Sequence, residues 1–327
     1  MGAFASKSVT SQSFNIPPPT FTEASLPDQT GKVILITGGY TGLGQELSRF
    51  LYQHNAKIYI AGRDASKGQI SIAATKALFP NSKGSIEFLL LDLADLTTIK
   101  KCANEFLEKE VRLDVLVLNA GLMFPPEGEK SVQGHEIQMG VCVLGHFLLA
   151  ELLVPILTTT SAISPKNSVR TIWPSSVGIE VFGPQGGITF TDSNIPKLFK
   201  GSGLKSQQIN YAQAKAGNLF LANEFRMRYG IASVAFNPGN LNTGIQRHSK
   251  GLEAVVQKWF VFPAIYGAYT ELWAGWGEVG DGERWYVVPW GKNGYEGMRK
   301  DIREAMVNGG AGDKLWEWCI EETKKYR

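Results

Sequence analysis

Lys32-Val33-Ile34-Leu35-Ile36-Thr37 is an aliphatic run without polar alternation, and Gly38-Gly39-Tyr40-Thr41-Gly42-Leu43-Gly44 follows it at once. Such a run reads as a parallel strand buried on both faces. From Gln45 to His54 the apolar residues Leu47, Phe50 and Leu51 recur at helical spacing. Strand, glycine turn and helix in immediate succession commit the chain to an α/β fold with one chemically distinctive place. The turn lets backbone approach a ligand closely, and the unpaired N–H groups at the helix start favour an anion. A dinucleotide pyrophosphate has that charge and shape. The spacing is Thr-Gly-x-x-x-Gly-x-Gly, carried by Thr37, Gly38, Gly42 and Gly44 with Leu43 between the last two.

A second spacing supplies chemistry. Asn210-Tyr211-Ala212-Gln213-Ala214-Lys215-Ala216 places Tyr211 and Lys215 four residues apart, which on a helix stacks them on one face. A phenol is a poor base at neutral pH, but a neighbouring ammonium favours its phenolate. The pair is therefore a candidate proton-transfer device, although a packed aromatic beside a solvated lysine has the same spacing.

The two spacings together resemble the short-chain dehydrogenase/reductase family, and further markers fall in that family's order. Leu91-Asp92-Leu93 follows the third apolar run, Asn119-Ala120-Gly121 the fourth, Ser175-Ser176 the fifth and Asn237-Pro238-Gly239 the sixth. The resemblance is strong over residues 30 to 245 and looser beyond. It implies a Rossmann-type doubly wound parallel sheet of about seven strands in the order 3-2-1-4-5-6-7. The strands expected are Val33 to Thr37, Lys57 to Ala61, Ile86 to Leu91, Val115 to Leu118, Val169 to Trp173, Ala232 to Phe236 and Trp285 to Val288. The implied catalytic residues are Ser176, Tyr211 and Lys215, with Ser175 competing for the serine role. Ser176 would hold the substrate oxygen, Tyr211 would move the proton, and Lys215 would assist Tyr211 and hold the nicotinamide ribose. The implied cofactor contacts are the glycine turn with Thr37 and Leu43, Asp92 and Leu93 near the adenine, Asn119, Ala120 and Gly121, and Pro238, Gly239, Leu241 and Thr243 after the sixth strand.

Cofactor choice follows from charge. The second strand ends at Gly62 and is followed by Arg63 and Asp64. An NAD site would place a carboxylate at the strand tip for the ribose hydroxyls, whereas the planar cation of Arg63 suits a 2′-phosphate, so NADP(H) is expected. Lys67 adds a second positive charge or is simply solvated. Asp64 is the counter-argument, because a shifted loop would let it serve a ribose.

The rest of the chain bounds the reading. One catalytic domain over 31–327 with an N-terminal arm over 1–30 is expected, since no linker-like run divides the 327 residues. A scattered net charge of +3 gives no footprint for nucleic acid. Three widely spaced cysteines, Cys102, Cys142 and Cys319, and the absence of an apolar leader predict a reducing, cytoplasmic setting. The apolar run Val141 to Leu157 is interrupted by Gly145, His146, Glu151 and Pro155, so a buried or interface helix is expected rather than a membrane span. His135 and His146 lack partners at metal-ligand spacing, and no metal is assigned. In the arm, Gly2 fits a permissive lipidation pattern, and Pro17-Pro18-Pro19 predicts an extended segment with Phe14, Ile16 and Phe21 lying against the domain.

Two features bear on specificity. The loops at about 177–210 and 244–295 carry Phe182, Phe190, Trp259, Phe260, Phe262, Tyr266, Tyr269, Trp273 and Trp276, which would serve either an apolar pocket or core and homodimer contacts. The resemblance is to fungal reductases related to retinol dehydrogenases, which implies a hydrophobic carbonyl or alcohol substrate, such as one of secondary metabolism. Where the family has Asn in a segment like Asn-x-x-Gly-His-Phe-Leu-Leu, this chain has Cys142, which puts the family's proton relay in question. A redox-neutral isomerase and a non-catalytic NADP-binding regulator are the alternatives.

Overall fold

The computed structural model describes residues 7–14, 16–199, 203–242, 262–280, 284–307 and 309–327. Its main sheet contains β1 (Val33–Thr37), β2 (Lys57–Gly62), β3 (Ser85–Leu90), β4 (Val115–Val117), β5 (Arg170–Pro174), β6 (Ala232–Phe236), β9 (Tyr286–Val288) and β10 (Lys292–Asn293). Their order is β10-β9-β6-β5-β4-β1-β2-β3. The expected 3-2-1-4-5-6-7 order is therefore present, with β9 as the seventh strand. Among the described residues the sheet has eight strands rather than about seven, because β10 folds back antiparallel on β9. Two exposed polar residues carry no periodic signal for such a strand. A separate parallel pair, β7 (Leu241–Asn242) with β8 (Phe262–Pro263), lies beyond β6.

Side-chain alternation explains the unbroken apolar strands. Val33 and Leu35 enter one core while Ile34 and Ile36 enter the other, so β1 is buried on both faces. One face is covered by α2 (Gly42–Gln53), α3 (Ala65–Leu78) and α8 (Ala264–Trp276), through residues such as Leu47, Leu51, Ile72 and Leu272. The other is covered by α4 (Leu96–Lys109), α5 (Ile137–Ala162) and α7 (Leu204–Tyr229). α5 is long and apolar enough by composition to cross a membrane, yet 78% of its most apolar stretch is buried inside the protein. A C-terminal helix, α10 (Ala311–Thr323), lies over α5 and α7: Trp316 meets Phe147 edge-on at 4.9 Å and takes Arg228 over its ring at 4.7 Å. α6 (Gly178–Val181) and α9 (Lys300–Ala305) are short.

The arm meets expectation only in part. Its described part begins with a helix, α1 (Lys7–Ser13), whose buried residues are Val9, Gln12 and Ser13, while Phe14 remains 43% exposed. Phe21 does pack against the domain. Gly2 lies outside the described residues.

One core residue runs against the hydrophobic pattern. Glu271 of α8 is fully buried, and neither carboxylate oxygen has a hydrogen-bond partner among the described residues. Burial raises its pKa from 4.5 to about 8, so the folded protein keeps a proton that the unfolded chain releases. The stability that this protonated form allows is fully present below about pH 4.5 and is lost as pH rises through about 8. Glu271→Gln cannot ionise. Its melting temperature relative to wild type should therefore climb between pH 5 and pH 8, and the same offset at both pH values would count against the burial argument.

Candidate active site

The turn between β1 and α2 has the geometry that its glycines predict. Gly42 has φ +58°, and a Cβ placed on it would meet nothing within 4 Å, so backbone conformation rather than crowding selects glycine there. Gly44 is selected by close approach, since a Cβ would lie 2.5 Å from Asn119 Nδ2. Asn119 Nδ2 donates to the Thr37 carbonyl at 3.1 Å, and the Ala120 N–H donates to Thr37 Oγ1 at 2.9 Å. The ends of β1 and β4 are thus tied together beside the first turn of α2. From the far side, Leu43 Cδ2, Leu241 Cδ1 and the Pro238 carbonyl all crowd Gly267 of α8, at 3.0, 2.2 and 3.1 Å from where its Cβ would be. Gly239, with φ +88°, lies under the Trp290 ring. Thr243 is outside the described residues.

At the tip of β2 the structure explains why no carboxylate is present. A Cβ on Gly62 would lie 2.3 Å from Cε1 of Tyr40 and 2.8 Å from its hydroxyl, so the tyrosine of the glycine turn occupies the space of a side chain at that position. Arg63 is exposed beside it. Asp64 turns away: it caps α3, accepting the Lys67 N–H at 3.0 Å and pairing with Lys67 Nζ at 2.8 Å. That pairing also engages Lys67. Asp92 accepts the Ala94 N–H at 2.9 Å, and Leu93 is buried against Gly145 of α5.

The Tyr211 and Lys215 side chains are both buried on α7, at 9% and 4% exposure, with Lys215 Nζ 5.7 Å from the tyrosine ring centre. Lys215 Nζ donates to the Pro174 carbonyl at 3.1 Å, which Asn218 Nδ2 also reaches at 2.8 Å. The two serines separate cleanly. Ser175 is 2% exposed and its Oγ donates to the Lys215 carbonyl at 3.0 Å, which makes it a tether between β5 and α7. Ser176 is half-buried, and its Oγ accepts the Gly178 N–H at 3.0 Å, leaving the hydroxyl proton to donate elsewhere. Ser176 and Tyr211 converge at Gly178, where an added Cβ would lie 3.3 Å from Ser176 Oγ and 3.4 Å from Tyr211 Cε1.

Cys142 lies in a π-helical segment, Gly140–Gly145, within α5. Its Sγ and Lys215 Nζ each lie 3.6 Å from the Cβ position of Gly121, so Asn119-Ala120-Gly121 runs directly past the lysine. His146 lies 3.2 Å from the Cys142 carbonyl through Nδ1 and 3.0 Å from Thr37 Oγ1 through Nε2. Burial pushes its imidazole down to about 3, so the ring is neutral, with Nδ1–H donating to that carbonyl and Nε2 accepting from Thr37. The expectation of a buried helix here holds, and the helix irregularity falls at Cys142 itself.

The aromatic side chains divide between packing and site. Tyr269 stacks on Phe50 at 5.5 Å, Trp273 packs on Trp285 at 5.3 Å, and Trp276 Nε1 donates to Gln29, so these three serve packing. Phe262 and Tyr266 instead cluster with Trp290, 5.0 and 5.2 Å away, beside Gly239. Trp259 and Phe260 lie outside the described residues. Sequence reasoning missed Phe124, which meets the Tyr211 ring edge-on at 5.7 Å from a backbone with φ +50°. It also missed Asn218, because neither residue belongs to a spacing that marks it.

Comparison with known proteins agrees with this geometry. The short chain dehydrogenase family profile matches residues 32–164. The chain is 41% identical over 324 residues to a short-chain dehydrogenase/reductase of Phomopsis amygdali, covering 94% of each chain. It is 40% identical to the short-chain dehydrogenase/reductase pkfC of Emericella nidulans, covering 96% of this chain and 99% of that one. Among solved structures, levodione reductase superposes with a TM-score of 0.60 at 20% identity over 82% of this chain and 98% of its own. A short-chain dehydrogenase from Sphingobium yanoikuyae in complex with NADPH gives 0.55 at 17% identity, over 74% and 82%. Full-length similarity to the fungal relatives, on a fold with this strand order, establishes that the chain belongs to the short-chain dehydrogenase/reductase family of NAD(P)-binding oxidoreductases.

Proposed function

We propose that this protein is an NADP(H)-dependent oxidoreductase that interconverts a carbonyl and an alcohol on a hydrophobic small molecule. The observation that carries the reading is the convergence of Ser176 and Tyr211 on Gly178, with Lys215 one helical turn behind and the glycine turn opening into the same end of the sheet. Residues able to hold the cofactor are those of the β1–α2 turn, Asn119 to Gly121 and Pro238 to Gly239, with Leu241 packed behind them. The bound nicotinamide supplies or accepts a hydride.

The chain's own residues do the rest. Ser176 Oγ, fixed by the Gly178 N–H, donates a hydrogen bond to the substrate oxygen and sets its distance from Tyr211. In reduction, the Tyr211 hydroxyl gives that oxygen its proton; in oxidation it takes one back. The Lys215 ammonium, held by the Pro174 carbonyl, places positive charge beside the phenol where negative charge develops. Phe124 and the Phe262–Tyr266–Trp290 cluster give the site apolar walls, which supports a bulky, water-poor substrate of the kind made in secondary metabolism.

Three variants test the assignments. Tyr211→Phe should lower turnover by about a hundredfold or more with NADPH still bound, since general acid catalysis contributes ~10²–10⁴; turnover near that of wild type would remove Tyr211 from its role. For the cofactor, Arg63→Ala should weaken NADPH far more than NADH, because only NADPH carries the 2′-phosphate that a guanidinium grips. Gly62→Asp alone should not create an NAD enzyme, because Tyr40 fills the space its side chain needs. Equal loss for both cofactors in Arg63→Ala would contradict the charge argument.

A further inference from the structure

Gln12, in the last turn of α1, is only 2% exposed although it lies near the start of the described chain. All four hydrogen-bonding positions of its amide are used. Nε2 donates to Glu180 Oε1 at 2.7 Å and to Ser8 Oγ at 3.0 Å. Oε1 accepts from Asn237 Nδ2 at 2.9 Å and from the Tyr286 hydroxyl at 3.5 Å. Ser8 Oγ donates to the same Glu180 oxygen at 3.0 Å.

The partners are not scattered. Glu180 stands four residues beyond Ser176, and its carbonyl and those of Ile179 and Gly183 accept from the Arg299 guanidinium. Asn237 opens the Asn-Pro-Gly turn, and its Oδ1 accepts the Gly239 N–H at 3.1 Å. Tyr286 is fully buried beside Ser175, whose Oγ is bonded to the Lys215 carbonyl. The amide donates to a carboxylate at one end and accepts from another amide at the other, which neither an ionised acid nor an ammonium group can do. A buried polar side chain with four satisfied bonds is expensive to disturb, because each stranded partner loses its hydrogen bond without regaining water.

We propose that Gln12 is a positioning residue of the active site and that the N-terminal helix is a working part of that site: it locks the loop after Ser176 to the turn that begins at Asn237. The kinetic side of this proposal rests on the redox reading above, while its structural side does not. The test is hydrogen–deuterium exchange on the full chain, comparing wild type with Gln12→Met, which keeps the side chain's length and removes its hydrogen bonds. Exchange over 176–182 and 237–242 should rise about tenfold, with exchange in β1 and α2 unchanged as the internal reference. Unchanged exchange in both loops would overturn the proposal, and so would a uniform rise over the whole chain, which would reduce Gln12 to a stability contact.

Gln12→Glu adds a pH signature. A carboxylate there faces Glu180 with Tyr286, Ser8 and Asn237 around it and Arg299 behind, so turnover should drop at pH 8 and recover towards pH 6 as the two acids share a proton. A loss that is the same at both pH values would contradict the bridge. Absence of turnover by wild type on any carbonyl would instead sink the redox reading and leave the exchange result to decide the role of Gln12.

Discussion

A parallel sheet buried on both faces leaves its polar chemistry almost nowhere to go except the strand ends. β1 shows the constraint most plainly: its five residues are all buried, alternating between two cores, and the first residues free to bind anything are those of the glycine turn that follows. Thr37 at the strand's last position then carries the Ala120 N–H, the Asn119 amide through its carbonyl, and the His146 ring. The same rule applies at β5 and β6, where Pro174, Ser175, Ser176 and Asn237 are stacked at the carboxyl edge. Chemistry collects there because the packing excludes it elsewhere.

Much of this was legible in the sequence, for physical reasons. Strands with both faces buried are continuous apolar runs, and glycines at positions of positive φ or close approach cannot easily be anything else, so β1 to β6, the glycine turn and the Tyr211–Lys215 helix could be read directly. Strand limits moved by a residue where pairing, not hydrophobicity, sets the end, as at Val169 and Leu118. Asp64, the sequence's argument against an NADP(H) preference, caps α3 in the structure, as a carboxylate just ahead of a helix prefers to do.

What remained illegible depends on contacts between residues far apart in the chain. Gln12 and Asn237 are 225 positions apart, and a glutamine in a polar arm has no periodicity to betray its burial. That the Tyr40 ring occupies the space of a side chain at Gly62 has no trace in the sequence either. The π-helical segment at Cys142 and the neutral His146 that bonds its carbonyl likewise belong to packing. The buried acid Glu271 resembles any surface glutamate in sequence and has no hydrogen-bond partner among the described residues. These are the places where tertiary structure overrides local pattern.

The central claim is that Ser176, Tyr211 and Lys215 serve hydride transfer rather than a redox-neutral rearrangement. The most direct measurement is transfer of deuterium from NADPH labelled at the nicotinamide C4 position into a panel of hydrophobic ketones and aldehydes, read by product mass. The account predicts alcohol products that carry one deuterium at the former carbonyl carbon and one solvent-derived hydrogen on oxygen. Conversion of a substrate with no change in hydrogen count and no label incorporated would contradict it.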